Sequence, residues 1–221
     1  MMHHLSMYSG LYSIALAALI GLARFPKVHK TFHPFIFLVT VALVTEIANR
    51  VTIGYYQGSN AVITNIYGLI EYLFWLWQFY NWNAFKKGSR SLMVLLLLPT
   101  AVWITENAIL GKLSTFSSGF AILYSFCVVF LAINQVNRQI VEERKNLFSN
   151  PTFLICSGLI IFFTYRILVE SFYLLDMAQT NREFLHNIFN ILKFVNVFVN
   201  LLFAFAALWI PTRQRFSLPS S

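Results

Sequence analysis

An all-α bundle of seven transmembrane helices is the fold that the sequence predicts, on three observations. The chain of 221 residues is 58% hydrophobic and only 11% charged, with a mean hydropathy of +0.66, whereas soluble domains carry about 25% charged residues. A helix crossing the hydrocarbon needs about 20 apolar residues, and the chain divides into seven such runs between charged or Gly/Pro punctuation. Lys and Arg are concentrated in alternate connections, the pattern that fixes a topology. Seven spans leave no room for a soluble catalytic domain, which excludes most ordinary enzyme folds. In a soluble protein a net charge of +8 would point to nucleic acid. Here the charges sit in short loops between apolar runs, so membrane lipid and not nucleic acid is the expected partner.

The spans fall at about residues 5–23, 34–53, 61–82, 91–110, 117–137, 153–175 and 186–210. The first has no Lys or Arg before it and Arg24, Lys27 and Lys30 just after it, the reverse of a cleavable signal peptide, so it stays as a helix. Span 2 carries Glu46 and ends with Arg50. Span 3 sets Tyr67, Glu71, Trp75 and Gln78 at i, i+4, i+8 and i+11, one stripe of a helix. Span 4 contains Trp103, Glu106 and Pro99; the proline predicts a kink and a freed carbonyl that needs a partner. Span 5 continues as a mixed-charge helical extension over Arg138–Lys145. Span 6 places Phe162, Arg166, Glu170 and Tyr173 on one stripe. Span 7 is the most polar, with Asn187, Asn190, Lys193, Asn196 and Asn200 descending from His186. Tyr55, Tyr56, Trp82 and Trp209, near span ends, fit interfacial belts. With no internal repeat and no Ser/Gly-rich linker, residues 1–221 read as a single transmembrane domain. Cys127 and Cys156 lie in apolar runs, and no CxxC or Cys/His cluster calls for a metal or cofactor.

Positive charge orients the bundle, because Lys and Arg in short loops are retained on the cytoplasmic side. The connections after spans 1, 3 and 5 and the C-terminal tail hold eleven: Arg24, Lys27, Lys30, Lys86, Lys87, Arg90, Arg138, Arg144, Lys145, Arg213 and Arg215. The opposite face holds three, Arg50, Lys112 and Arg182. The N-terminus is therefore expected outside and the C-terminus in the cytoplasm.

Six ionisable residues lie within spans: Glu46, Glu71, Glu106, Arg166, Glu170 and Lys193. Each costs about 2.5–3.5 kcal/mol on insertion scales, so such groups face the bundle interior, pair, or mark a function. In the expected orientation all six fall towards the outer half, while the inner halves are almost purely apolar. That distribution predicts an outward-facing cavity and not a proton wire, which needs polar groups at both depths. Structural roles compete. Glu46 with Arg50 and Arg166 with Glu170 are i,i+4 pairs able to neutralise one another, Lys193 is near enough to its helix start to snorkel, His186 suits a cap, and the asparagines suit interhelical hydrogen bonds. Glu71 has no basic residue within four positions, and must be protonated or paired across helices.

The favoured function is binding of a small polar or amphiphilic ligand, as sensor or carrier, in an aromatic pocket with a few polar groups. Glu46 and Glu71 would meet its donors, Arg166 and Lys193 its acceptors, and Tyr67, Trp75 and Trp103 its apolar body; Glu106, Glu170, His186, Asn190 and Asn196 complete the candidate set. One alternative is an intramembrane acid/base enzyme acting on a lipid, with Glu71 as proton donor and Glu46 or Glu106 ionised beside Arg166. The spans offer neither the His cluster that a zinc hydrolase needs nor the Ser/His pairing of a serine hydrolase. Another alternative rests on resemblance. Seven spans, an amine in span 7 and Glu71-Tyr72 in span 3 resemble the rhodopsin arrangement, which would make Lys193 the retinal Schiff base and Glu71 its counterion.

A closer resemblance is carried by Thr45-Glu46-Ile47, by the run from Ile66 through Tyr67, Gly68 and Glu71 to Tyr72, by the aromatic and Gly pattern of Phe153 to Gly158, and by His186-Asn187-Ile188 with Asn190-Ile191-Leu192. In these stretches the chain resembles an uncharacterised family of bacterial, Bacteroidetes-type, seven-span integral membrane proteins. The resemblance implies an inner-membrane location and a site around Glu46, Tyr67, Glu71, His186 and Asn190. Lys193 is not part of that pattern, and Leu154 stands where such proteins often have Trp.

Overall fold

In hydrocarbon every backbone N–H and C=O must find its partner within the chain, which leaves helices or closed barrels, and the computed structural model of this chain has helices joined by short connections, with no strand, over its described residues (2–56, 59–85, 90–142, 147–174 and 182–212). Its elements are α1 (Met2–Arg24), α2 (His33–Tyr56), α3 (Ala61–Asn81), α4 (Arg90–Ile104), α5 (Ser118–Glu142), α6 (Pro151–Leu174) and α7 (Arg182–Trp209). Among the described residues, α2, α4 continued to Ile109, α5, α6 and α7 provide stretches long and apolar enough to cross a membrane. The apolar stretch of α1, Ser9–Arg24, is shorter. α3 is not among the five; it carries Asn65, Glu71 and Gln78, all buried in the bundle. The outer faces present large apolar side chains such as Leu97, Phe130, Phe194 and Phe205, a surface suited to lipid.

The boundaries have local causes. α6 begins at Pro151, two residues before the predicted 153, because Asn150 is a helix N-cap: its Oδ1 accepts from the Thr152 and Phe153 N–H at 2.8 and 3.2 Å, and Pro151 takes the first helical position, where no N–H is needed. α3 stops where Asn83 enters the left-handed region (φ 55°), and Arg138 of α5 donates to the carbonyls of Trp82 and Asn83 there. α7 ends on Arg24, whose guanidinium donates to the carbonyls of Ala207, Leu208 and Ile210. Cations at helix C-termini answer both unpaired carbonyls and the negative end of the dipole. α7 begins at Arg182, a turn before the predicted 186. The segments holding Lys86, Lys87, Arg144, Lys145, Arg213 and Arg215 lie outside the described residues.

Pro99 cannot bond the carbonyl of Leu95, four residues back. The hydroxyl of Tyr72, on α3, donates to that carbonyl instead. α4 then ends in a single π turn, Thr105–Ile109, closed by Leu110 N–H to Thr105 O at 2.9 Å. Packing follows the chain: α1 on α2, α2 on α3, α3 on α5, α5 on α6, α6 on α7, and α7 back on α1. α4 rests against α3 and α5 and buries little of its apolar surface. The ring encloses the site.

Candidate functional site

A cavity of about 220 Å³ lies inside the ring, walled by α1, α2, α3, α6 and α7. The order of its lining residues along each helix gives it a polarity. On α2, Leu38 and Val39 come first and Thr45, Glu46 and Asn49 later; on antiparallel α3, Thr64 and Tyr67 come first and Trp75 later. On α6 the sequence runs from Leu159 to Arg166, and on α7 from Asn196 to Phe203. All four place the polar groups towards the end that bears the α2–α3 connection and the apolar groups towards the opposite end. There the floor is closed by rings: Trp75 and Phe203 at 6.0 Å, with Phe35 at 5.5 Å from Phe203. Gly158 permits this closure, since a Cβ on it would stand 2.9 Å from Phe203 Cε1. Beneath the floor Gln78, fully buried, accepts from Phe35 N–H at 2.9 Å and donates to Thr31 O at 2.7 Å, tying down the start of α2.

Glu71 is the centre of the polar wall. Its Oε2 lies 3.1 Å from Arg166 Nη1 of α6 and accepts from the hydroxyl of Tyr124 of α5 at 2.8 Å, while its Oε1 accepts from Tyr67 at 3.2 Å. The guanidinium lies over the Tyr124 ring, 5.0 Å from its centroid. Side-chain exposure is 13% for Arg166 and 10% for Glu71. A carboxylate and a guanidinium so enclosed hold together because their mutual attraction offsets the cost of desolvating both, and the two hydroxyls add a hydrogen bond to each carboxylate oxygen. Glu71 is thus paired across helices, whereas Arg166 faces Glu71 and not Glu106. Glu46 pairs within its own helix, with Arg50 Nη2 at 2.7 Å.

The remaining candidates divide. Tyr67, Trp75 and Asn196 line the cavity with Glu46, Glu71 and Arg166. Glu106 and Glu170 instead serve the first turn of α5: Glu106 Oε2 accepts from Phe120 N–H at 3.0 Å and Glu170 Oε2 from the Ser118 hydroxyl at 2.8 Å. A helix N-terminus has unpaired N–H groups and a positive dipole end, which suits carboxylates there. Glu170 shares a smaller recess with Arg166 and Tyr124, next to the main cavity. Trp103 donates from its indole nitrogen to Asn65 O at 2.9 Å and does not line the cavity. Lys193 is exposed, donates to Asn190 Oδ1 at 3.4 Å, and neither residue lines the cavity. The span 7 stripe therefore splits, because residues spaced by three drift around a helix of 3.6 residues per turn: Asn187 is exposed, and only Asn196 and Asn200 face inward. The side chains of His186 and Tyr173 lie outside the described residues.

Two site residues escape the stripe pattern, Tyr124 and Asn49. Tyr124 is the only tyrosine of span 5, which is the signal that finds it. Asn49 sits one turn beyond Glu46, and its Oδ1 is buried without a hydrogen-bond partner. Asn200 donates to the Ser13 hydroxyl at 3.1 Å, joining α7 to α1 beneath the polar wall. The indole N–H of Trp75, on a residue only 1% exposed, likewise has no acceptor. No family model, curated protein or solved structure matches this chain.

Proposed function

We propose that the chain is a seven-span protein of the bacterial inner membrane, N-terminus outside, that binds a small polar or amphiphilic ligand in this cavity as a sensor or carrier. In that orientation the polar end of the cavity is its outer end and the ring-closed floor lies towards the cytoplasm. The observation that carries the reading is the clustering of one cross-helix ion pair, the tyrosine Tyr67 and two residues with unpartnered polar atoms, Asn49 and Trp75, around one volume. A network meant only to hold helices together has no use for an adjoining space, and protein interiors keep few voids larger than a water molecule. Polar groups converging on an otherwise apolar concavity are the usual composition of a ligand site.

Binding is favoured over acid/base chemistry on a lipid because Glu71 is paired with Arg166 and accepts from Tyr67 and Tyr124, partners with which a reacting bond would have to compete. It is favoured over a retinal imine because Lys193 does not line the cavity. The test uses Glu71→Gln and Arg166→Ala in the full chain, with ligand occupancy read by native mass spectrometry and stability by thermal melting. Loss of the bound species in variants that still fold supports binding. Full occupancy and unchanged melting in both would refute it, and a Glu71→Gln protein that binds lipid but no longer turns it over would establish the enzyme instead.

A further inference from the structure

The charges around the cavity cancel locally. Of the groups lining it, Glu46, Glu71 and Arg166 are ionisable; Glu71 is matched by Arg166 at 3.1 Å and Glu46 by Arg50 at 2.7 Å. With these pairs matched, a charged ligand would add an ion for which the lining holds no spare counter-charge, which is unfavourable in a largely enclosed place. Beside these pairs the lining carries neutral polar groups. Asn49 carries a buried amide oxygen without a donor, and Thr45, Thr64 and Asn196 line the same cavity. Below them the wall is Leu38, Leu159, Phe163 and Phe203, closing on Trp75. A space of about 220 Å³ fits one short apolar group and not a pair of acyl chains.

Building on the ligand-binding reading above, we infer that the occupant is an uncharged, single-tailed amphiphile. Its hydroxyl, carbonyl or amide head lies among Asn49, Thr45 and Asn196, and its apolar body points to Trp75 and Phe203. Gly10 also lines the cavity: a Cβ there meets Asn196 Nδ2 at 3.8 Å and Glu46 Oε1 at 3.9 Å, ordinary contact distances. A larger side chain at position 10 would therefore grow into the cavity.

Three probes with the same chain and different heads separate the classes: 1-octanol, octanoate and octylammonium. Each is measured at neutral pH by equilibrium dialysis against phosphatidylcholine nanodiscs with and without the full chain, so that empty discs account for partitioning. Octanol is expected to bind saturably, at least tenfold more tightly than either ion, and to lose tenfold or more in Gly10→Leu. Asn49→Leu, which removes the unpartnered acceptor while leaving both ion pairs, is expected to weaken octanol by a similar factor and guards against a Gly10 variant that fails to fold. If octanoate or octylammonium binds as tightly as octanol and is lost in these variants, the uncharged class is wrong while the cavity remains a ligand site. If none of the three binds in a way sensitive to either substitution, both the class and the ligand-binding reading fall.

Discussion

Glu71 and Arg166 set the residue-scale energetics. Each is tolerable in the bundle only because the other is there, so removing one leaves a buried charge whose cost is about 3–5 kcal/mol. Arg166→Leu should therefore lower the melting temperature sharply, and the double variant Glu71→Leu/Arg166→Leu should lose less than the sum of the single losses. Equal additivity in that double-mutant cycle would mean the pair does not interact. Sequence alone exposes the problem at Glu71, a central carboxylate with no neighbouring base on its own helix, and so demands a partner on another. It does not say which one, because Arg166 has an equally good i,i+4 neighbour in Glu170. The choice is made by packing: α6 turns Arg166 towards α3, and Glu170 is drawn to the Ser118 hydroxyl at the start of α5. Lys193 shows the converse. Its charge is conspicuous in the sequence, yet a one-in-three spacing carries it round to the exposed side of α7.

At the scale of the element, the informative features are the places where a helix is interrupted and repaired. Pro99 predicts a freed carbonyl in span 4, and Tyr72 supplies the donor from α3. Tyr72→Phe keeps the ring and removes that donor, so a loss of about 1–2 kcal/mol is expected in thermal or denaturant unfolding; an unchanged stability would show that the carbonyl has another partner. The entry to α5 is a second such place. A Cβ at Gly119 would fall 2.2 Å from Glu106 Oε1, so Gly119→Ala should drive Glu106 from the Phe120 N–H and cost about 1 kcal/mol, comparable to losing a helix cap. In a Glu106→Ala background the same substitution should cost much less, and a full cost there would assign the glycine another role. The π turn and the cap it serves are not visible in periodicity, because they depend on where α4 ends against α5.

For the whole molecule, composition and run length are enough to find the seven helices, since hydrocarbon admits no other open-chain element. The polarised cavity follows from the depth of Glu46, Glu71 and Arg166 once neighbouring helices alternate in direction. Some basic residues serve two purposes: Arg24 and Arg138 count as topology signals and also cap α7 and α3. The proposed orientation predicts that, in a background lacking Cys127 and Cys156, Ser59→Cys and Ser114→Cys react with a membrane-impermeant maleimide from outside intact cells. Ala84→Cys should react only after the membrane is opened, and the reverse pattern would invert the bundle. The claim on which the account turns is that the cavity holds a ligand. Native mass spectrometry of the full chain, gently extracted from its own membrane and then denatured, addresses it most directly. The account predicts a noncovalent adduct of one mass that is lost on denaturation and absent from Gly10→Leu. A clean unliganded mass, or an adduct retained undiminished by a folded Gly10→Leu protein, would contradict it.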